Sequence, residues 1–413
     1  MYLTFKGNSM HVLGHLTVEE FLRDYWQQKP VLIRDALPEF EALIPADELA
    51  GMSLEEDIES RLIIEEGSNG PWEIRKGPFS EADYRALPDN KWTLLIQAVD
   101  QYLPEAADLL EHFRFLPSWR IDDLMISYAV DGGSVGPHYD QYDVFLLQAE
   151  GQREWRIGQM CSEQSSILEG PALRILADFQ ETERWVLNPG DMLYLPPQLA
   201  HYGISQGECM TYSIGFRAPS SAELLERTID AVLPTLTEDQ RYADPNLTPQ
   251  ENTGEIGDDA IQRLRTLLTA TLNKEDTRLA DTLGQLLTES KYPDQAPEFS
   301  AEELTQNLTA SLDEEAWQNF IEDLHDIPTL TRSEAARFAW HRSGSHLNFY
   351  AQGENVTLPA TTERLVAMLG NQRHYDVCTI LESAQDDASK KLLIALWQHQ
   401  LIREGDEYGD PDN

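Results

Sequence analysis

The chain has 413 residues, more than one ordinary hydrophobic core takes up, so two or three domains are expected. Its net charge of −41, from 31 basic against 72 acidic side chains, argues against nucleic-acid binding over a broad surface, which needs a basic footprint, and either favours a basic protein partner or serves solubility alone. No apolar run is long enough for a transmembrane helix, Met1–Asn8 lack the basic and apolar segments of a secretory leader, and Cys161, Cys209 and Cys378 stand far apart outside any C-x-x-C pattern; the expectation is a cytoplasmic chain with reduced thiols, no membrane contact and no zinc–cysteine site.

Thr17 and Glu20 form a capping box ahead of Phe21, Leu22, Tyr25 and Trp26 at helical spacing, and Lys29-Pro30 ends that helix. Val31–Ile33 reads as a strand and Pro45–Ala50 as a short helix. Arg61–Glu65 and Trp72–Arg75 read as a hairpin about a turn at Gly67–Gly70. Trp92–Val99 is strongly β-prone, Leu103–Phe115 is an amphipathic helix, and Leu124–Val130 is a strand leading into the glycine-rich loop Asp131–Gly136. Val144–Gln148 reads as a strand buried on both faces. Glu150-Gly151 then predicts a turn, with Arg153–Gly158 returning antiparallel. Trp185–Leu187 leads to a Pro189-Gly190-Asp191 turn, and Met192–Leu195 and Met210–Phe216 follow as strands. Many short strands with regular turns imply an antiparallel barrel or jelly roll.

Composition shifts after Ala218-Pro219. Ala222–Leu236 and Asp258–Leu287 carry helical spacing, and Pro293 and Pro297 suggest a linker. Beyond it come helices at Ser300–Leu312 and Glu314–Leu324, a strand pair at Ala336–His341 and His346–Ala351, and helices near Thr361–Leu369 and Lys390–Ile402. A small helix-plus-hairpin module of this kind fits a winged helix. The predicted domains are therefore 1–218, 219–296 and 297–413, in an α+β chain, with an acidic, fraying tail after Glu404.

The chemistry centres on Gly136-Pro137-His138-Tyr139-Asp140. On a strand, residues two apart share a face, so His138 and Asp140 aim together while Tyr139 and Gln141 face away. His201, beyond the Pro196-Pro197 exit of a short strand, supplies a third ligand. Two histidines and one carboxylate make the facial triad of non-haem Fe(II) oxygenases, with positions left open for substrate and O2. Such iron needs a reducing cosubstrate. A dicarboxylate such as 2-oxoglutarate chelates the metal at one end and needs a fixed cation at the other. Arg153 suits that task, because a planar guanidinium binds a carboxylate through two hydrogen bonds. Arg156, at odd spacing from it, points the other way. Ser127 and Ser213 lie on neighbouring strands and offer hydroxyl donors, although either also reads as a plain strand-interior serine. Trp155 reads as core.

Pro137-His138-Tyr139-Asp140, Arg153, Pro189-Gly190-Asp191 and His201 resemble the JmjC branch of the cupin-fold 2-oxoglutarate oxygenases. Arg120–Ser127, Asp140–Phe145 and Ser213–Pro219 narrow the resemblance to the bacterial ribosomal oxygenases, which hydroxylate an arginine of large-subunit ribosomal protein sixteen. The resemblance implies a double-stranded β-helix, then a helical dimerisation region and a winged-helix-like C-terminal domain. It also implies Fe(II) at His138, Asp140 and His201, 2-oxoglutarate at Arg153 with help from Ser127, a homodimer, and hydroxylation of arginine at carbon 3. An aspartate in the middle position goes with hydroxylases more than with JmjC demethylases. Tyr142 and Asp122 are candidates to receive the substrate guanidinium, against readings of Tyr142 as barrel packing and Asp122 as a strand cap. The alternative is a silent or non-oxygenase cupin acting as a ribosome-assembly scaffold. A retired site should have lost a ligand or the anchoring arginine, and all four residues are present.

Overall fold

The computed structural model describes residues 12–67, 70–272 and 276–405. Met1–Asn8, the tip of the 67–70 turn and the tail beyond Gly405 lie outside the described residues. The chain divides into two units, one built on the residues up to Ala218, the other on Pro219–Gly370 and His374–Gly405.

In the first unit the capping box at Thr17 is made in both directions and opens α1 (Val18–Asp24). There follow β1 (Val31–Ile33), α2 (Ala46–Met52), the hairpin β2 (Ser60–Gly67) and β3 (Gly70–Lys76), α3 (Glu81–Arg85), β4 (Trp92–Ile96) and α4 (Pro104–Glu111). The remaining strands are β5 (Ile121–Ala129), β6 (Val144–Met160), β7 (Glu183–Leu187), β8 (Met192–Leu195) and β9 (Leu199–Phe216). They form one antiparallel sheet in the order β1-β8-β6-β9-β5-β4-β2-β3, with β7 also paired to β6.

The turn predicted at Glu150-Gly151 is corrected. The chain does not reverse there; β6 runs through as a single strand of 17 residues beside β9, which has 18. What looked like a turn is a bulge. From Gln148↔Thr211 to Glu150↔Met210 the chain advances two residues on β6 against one on β9. The extra residue switches the parity of β6. Val144 and Leu146 therefore share a face with Trp155 and Ile157, while Phe145 and Leu147 face the opposite core. Arg153 gains its orientation from this bulge, on the face of Trp155. Arg156 lies on the other face, in ion pairs with Glu154 (2.8 Å) and Glu181 (3.8 Å).

The Pro189-Gly190-Asp191 turn anchors the sheet edge. Asp191 is buried and accepts from the backbone N–H of Asn188 (2.9 Å) and Asp35 (3.1 Å), as well as from Arg34. Gly190 has φ of 85°, and a Cβ there would lie 2.6 Å from the carbonyl oxygen of Leu37.

The larger core packs Phe145 among Phe113 (5.2 Å between ring centroids), Tyr194 (5.0 Å), Phe21 (5.5 Å) and Phe216 (5.7 Å). Phe145→Ala is expected to cost about 3–5 kcal/mol, read as a lowered urea midpoint with unchanged m-value.

In the second unit, α5 (Ser221–Val232), α6 (Asp258–Leu272) and α7 (Asp276–Thr288) precede α8 (Ala301–Thr309) and α9 (Glu314–Asp323). Asp258–Leu287, predicted as helical, holds α6 and α7 among its described residues. Next come β10 (Thr329–Arg332), β11 (Phe338–Ser343), β12 (His346–Ala351), β13 (Glu354–Pro359), α10 (Glu363–Asn371), β14 (His374–Asp376), α11 (Val377–Ser383), α12 (Asp387–Gln398) and β15 (Ile402–Glu404). The predicted hairpin is present as β11–β12, with β13 added through the fully buried Val356 and Leu358. A second small sheet has the order β14-β10-β15. The helix predicted to Ile402 stops at Gln398, and Ile402 opens a strand instead.

Candidate active site

His138 and Asp140 do not lie on a regular strand. His138 forms an isolated antiparallel bridge with His201, their backbones exchanging bonds of 3.0 and 2.9 Å. The bridge brings the two imidazoles together, with ring centroids 4.3 Å apart at 61°. Asp140 joins them, its Oδ2 3.6 Å from His201 Nε2. One ligand atom from each of the three residues lies within 4.8 Å of the others, a spacing that fits one metal ion.

The tautomers follow from the backbone. His138 Nδ1 faces the carbonyl of Gly136 (2.8 Å) and His201 Nδ1 that of Leu199 (2.9 Å). A carbonyl oxygen only accepts, so each Nδ1 carries the proton and each Nε2 keeps a lone pair for a metal. His201 is 3 % exposed, and burial, then the neighbouring His138, push its pKa down to about 4, so the ring is neutral at neutral pH. Two imidazoles and a carboxylate suit a divalent transition metal.

The triad borders a cavity of about 310 Å³. Arg153 lines the same cavity and is 4 % exposed, and its Nε and Nη2 have no hydrogen-bond partner. A buried guanidinium with unspent donors fits an incoming carboxylate. The Trp155 ring lies 5.8 Å from its guanidinium carbon, and a Cβ at Gly203 would come within 2.7 Å of that ring; a glycine there lets the indole lie flat on β9.

Ser127 and Ser213 also line the cavity. Ser127 is buried, with its Oγ donating to the Thr211 carbonyl at 3.3 Å, and Ser213 pairs across to Leu146 on β6. Tyr142 stands at the rim, 42 % exposed, with its phenol held protonated foremost by the Asp140 carboxylate. The next residue, Asp143, fixes the backbone from which it projects, because its buried carboxylate accepts from Tyr194 Oη (2.6 Å) and Gln27 Nε2 (2.9 Å). Asp122 is placed differently. It is bound to Arg217 Nε at 3.0 Å and is not among the described residues that line the cavity.

Tyr139, expected to face away, borders the cavity as well, because the segment is a bridge and not a pleated strand. Sequence reasoning missed Arg61 and the segment Leu173-Arg174-Ile175, which complete the wall. That segment carries no periodic signal. It is brought in by bonds from Leu176 N to the Pro137 carbonyl (2.8 Å) and from Tyr139 Oη to the Ser162 carbonyl (2.9 Å).

Comparison with known proteins agrees with this architecture. The JmjC domain family matches residues 108–224, and a ROXA-like winged helix family matches residues 267–403. The ribosomal protein uL16 3-hydroxylase of Escherichia coli is 37% identical over 273 residues, which cover 66% of this chain and 72% of that protein. A probable ribosomal oxygenase of Haemophilus influenzae is 37% identical over 267 residues, covering 62% of this chain and 64% of the relative's length. The solved structure of YcfD, a ribosomal oxygenase from E. coli, superposes with a TM-score of 0.76 at 30% identity, covering 95% of this chain and 99% of that one. YcfD has also been solved in complex with cobalt and 2-oxoglutarate. The chain belongs to the bacterial ribosomal oxygenase family of JmjC-domain 2-oxoglutarate oxygenases.

Proposed function

We propose that this chain is an Fe(II)- and 2-oxoglutarate-dependent protein hydroxylase acting on an arginine side chain, at carbon 3, of a basic large-subunit ribosomal protein. The observation that carries the reading is the pairing, in one cavity, of a His138–Asp140–His201 donor set with the buried, unpartnered guanidinium of Arg153. Iron at this site, with 2-oxoglutarate and O2, supplies the oxidising power that converts an aliphatic C–H to C–OH with release of succinate and CO2. The chain's own residues do the rest. His138, Asp140 and His201 would hold the metal. Arg153 takes the far carboxylate of the cosubstrate, and Ser127 and Ser213 offer hydroxyls beside it. Val144, Leu146 and Trp155 wall the cavity against water. Tyr142 at the rim is placed to meet the substrate guanidinium, through its hydroxyl or its ring face. Asp122, bound to Arg217, joins it only by exchanging that partner.

The relative named as acting on uL16 makes that protein the substrate to try first. The net charge of −41 suits a basic partner, and a ribosomal substrate supports a cytoplasmic location. No helix among the described residues is long and apolar enough to cross a membrane. The test is incubation of uL16, or a peptide from it, with the protein, Fe(II), 2-oxoglutarate and O2. The expected result is one added oxygen on an arginine, with succinate formed in equal amount. Unchanged substrate mass beside active succinate formation rejects this substrate, and no succinate at all rejects the oxygenase reading.

The helices between residues 219 and 296 support a homodimer. Leu225, Ile229 and Leu233 form an exposed apolar stripe along and just beyond α5, and Ile261, Leu264 and Leu268 form another on α6. A Leu225→Glu/Leu268→Glu double variant is expected to run as a monomer in light scattering, where the parent protein runs at twice the chain mass.

A further inference from the structure

The charge of the cavity runs against the charge of the chain. Against 72 acidic and 31 basic side chains overall, the cavity lining holds three arginines, Arg61, Arg153 and Arg174, and one carboxylate, the metal ligand Asp140. Arg153 lies deep and is accounted for by the cosubstrate. The other two have no assigned role. Arg174 is exposed and makes no hydrogen bond or ion pair with any described residue. It rides on the segment tied to Pro137 by Leu176. Arg61 is held by a neutral group, its Nη2 donating to Gln97 Oε1 at 2.7 Å, while Gln97 Nε2 donates to Asp123 at 2.6 Å. Its Nε is buried without a hydrogen bond, and the carboxylate paired with it, that of Glu59, stands 3.9 Å off.

We infer that Arg61 and Arg174 form a cationic entrance that draws the dianionic cosubstrate into the cavity and hands it to Arg153. The inference rests on the oxygenase reading above. A dicarboxylate approaching a chain of net charge −41 meets a repulsive field. At physiological ionic strength the Debye length is about 8 Å, so charges lining the entrance outweigh the distant surface once the ligand is close. Of the two ligands the cavity receives, the dianionic 2-oxoglutarate is the one that two arginines attract, whereas the substrate guanidinium has the carboxylates about Tyr142 to meet. They act on encounter, as positioning residues, and not on the reaction itself.

The test is the association rate of 2-oxoglutarate with the cobalt-loaded, full-length protein, followed by tryptophan fluorescence in stopped flow. Arg174→Gln and Arg61→Gln are each expected to lower the association rate constant roughly three- to tenfold at about 0.01 M salt. Their rates should converge on wild type at about 1 M salt, where the Debye length is about 3 Å. The metal's charge is common to all the proteins compared, so the difference isolates the arginines. The exposed Arg241, outside the cavity, is the control, and Arg241→Gln should associate at the wild-type rate. Unchanged low-salt rates in both entrance variants, a loss that persists at high salt, or an equal loss in Arg241→Gln each overturns the inference while leaving the oxygenase reading intact. Failure of the wild-type protein to bind 2-oxoglutarate at all removes both.

Discussion

His138→Ala and Asp140→Ala proteins are expected to form no succinate above background, a loss of more than about 100-fold. Removing only an outer partner of a metal ligand costs about 10–100-fold in affinity or activity, so loss of a ligand exceeds that range. The fold should survive both changes. His138 and Asp140 are half-buried, and the close ionic contact of the Asp140 carboxylate is with His201, itself a ligand. Removing either side chain opens no hole in the ring cluster around Phe145, and the bridge between His138 and His201 is made by backbone atoms. Stability should change by no more than about 1 kcal/mol. Calorimetric titration with Co(II) or Mn(II) separates the causes: the parent protein binds one ion, and each variant binds none at comparable concentration. A variant that loses turnover but still binds the ion with parental affinity would remove that residue from the ligand set.

The triad was legible because its signal is local and chemical. A His and an Asp two residues apart, beside a glycine-rich approach, need no knowledge of distant pairing to be noticed. The reason they converge was less accessible. It is not the strand alternation that the spacing suggests but a two-residue bridge to His201. Arg153 was found through its residue type, yet the fold reaches it by a route the sequence misleads about. Glu150-Gly151 carries the composition of a turn, and the difference between a turn and a bulge lies in whether β9 continues alongside. That is settled by pairing over about sixty residues of separation, which no local window holds. Arg61 and Arg174 were invisible for a related reason. One sits on a hairpin strand far earlier in the chain and the other on an irregular segment, and only the tertiary fold puts both on the wall of one cavity. Asp122 shows the converse. Its carboxylate made it a candidate for a substrate guanidinium, but the guanidinium it holds is that of Arg217, almost a hundred residues away.

Arg153→Met should separate binding from folding by moving them in opposite directions. In the ligand-free protein this guanidinium is 4 % exposed, with two nitrogen atoms unpartnered, and that arrangement costs stability. Methionine fills similar volume without a charge, so the ligand-free protein is expected to gain about 1–3 kcal/mol. Affinity for 2-oxoglutarate should fall by about 2–4 kcal/mol, roughly 30- to 1,000-fold in Kd, because the carboxylate loses a charge-assisted partner in a desolvated site. Metal binding should survive, since Arg153 supplies no ligand atom to the triad. Arg153→Lys should fall between, as an ammonium supplies a point charge but not the two parallel donors of a guanidinium. Thermal melts with and without 2-oxoglutarate in the cobalt-loaded protein read all three effects at once. The methionine variant should melt higher than the parent without ligand and show almost no upward shift with it. A variant that melts lower than the parent without ligand would mean that Arg153 is structural, held by contacts that favour the folded state. A full ligand-induced shift in Arg153→Met would place the carboxylate anchor elsewhere in the cavity.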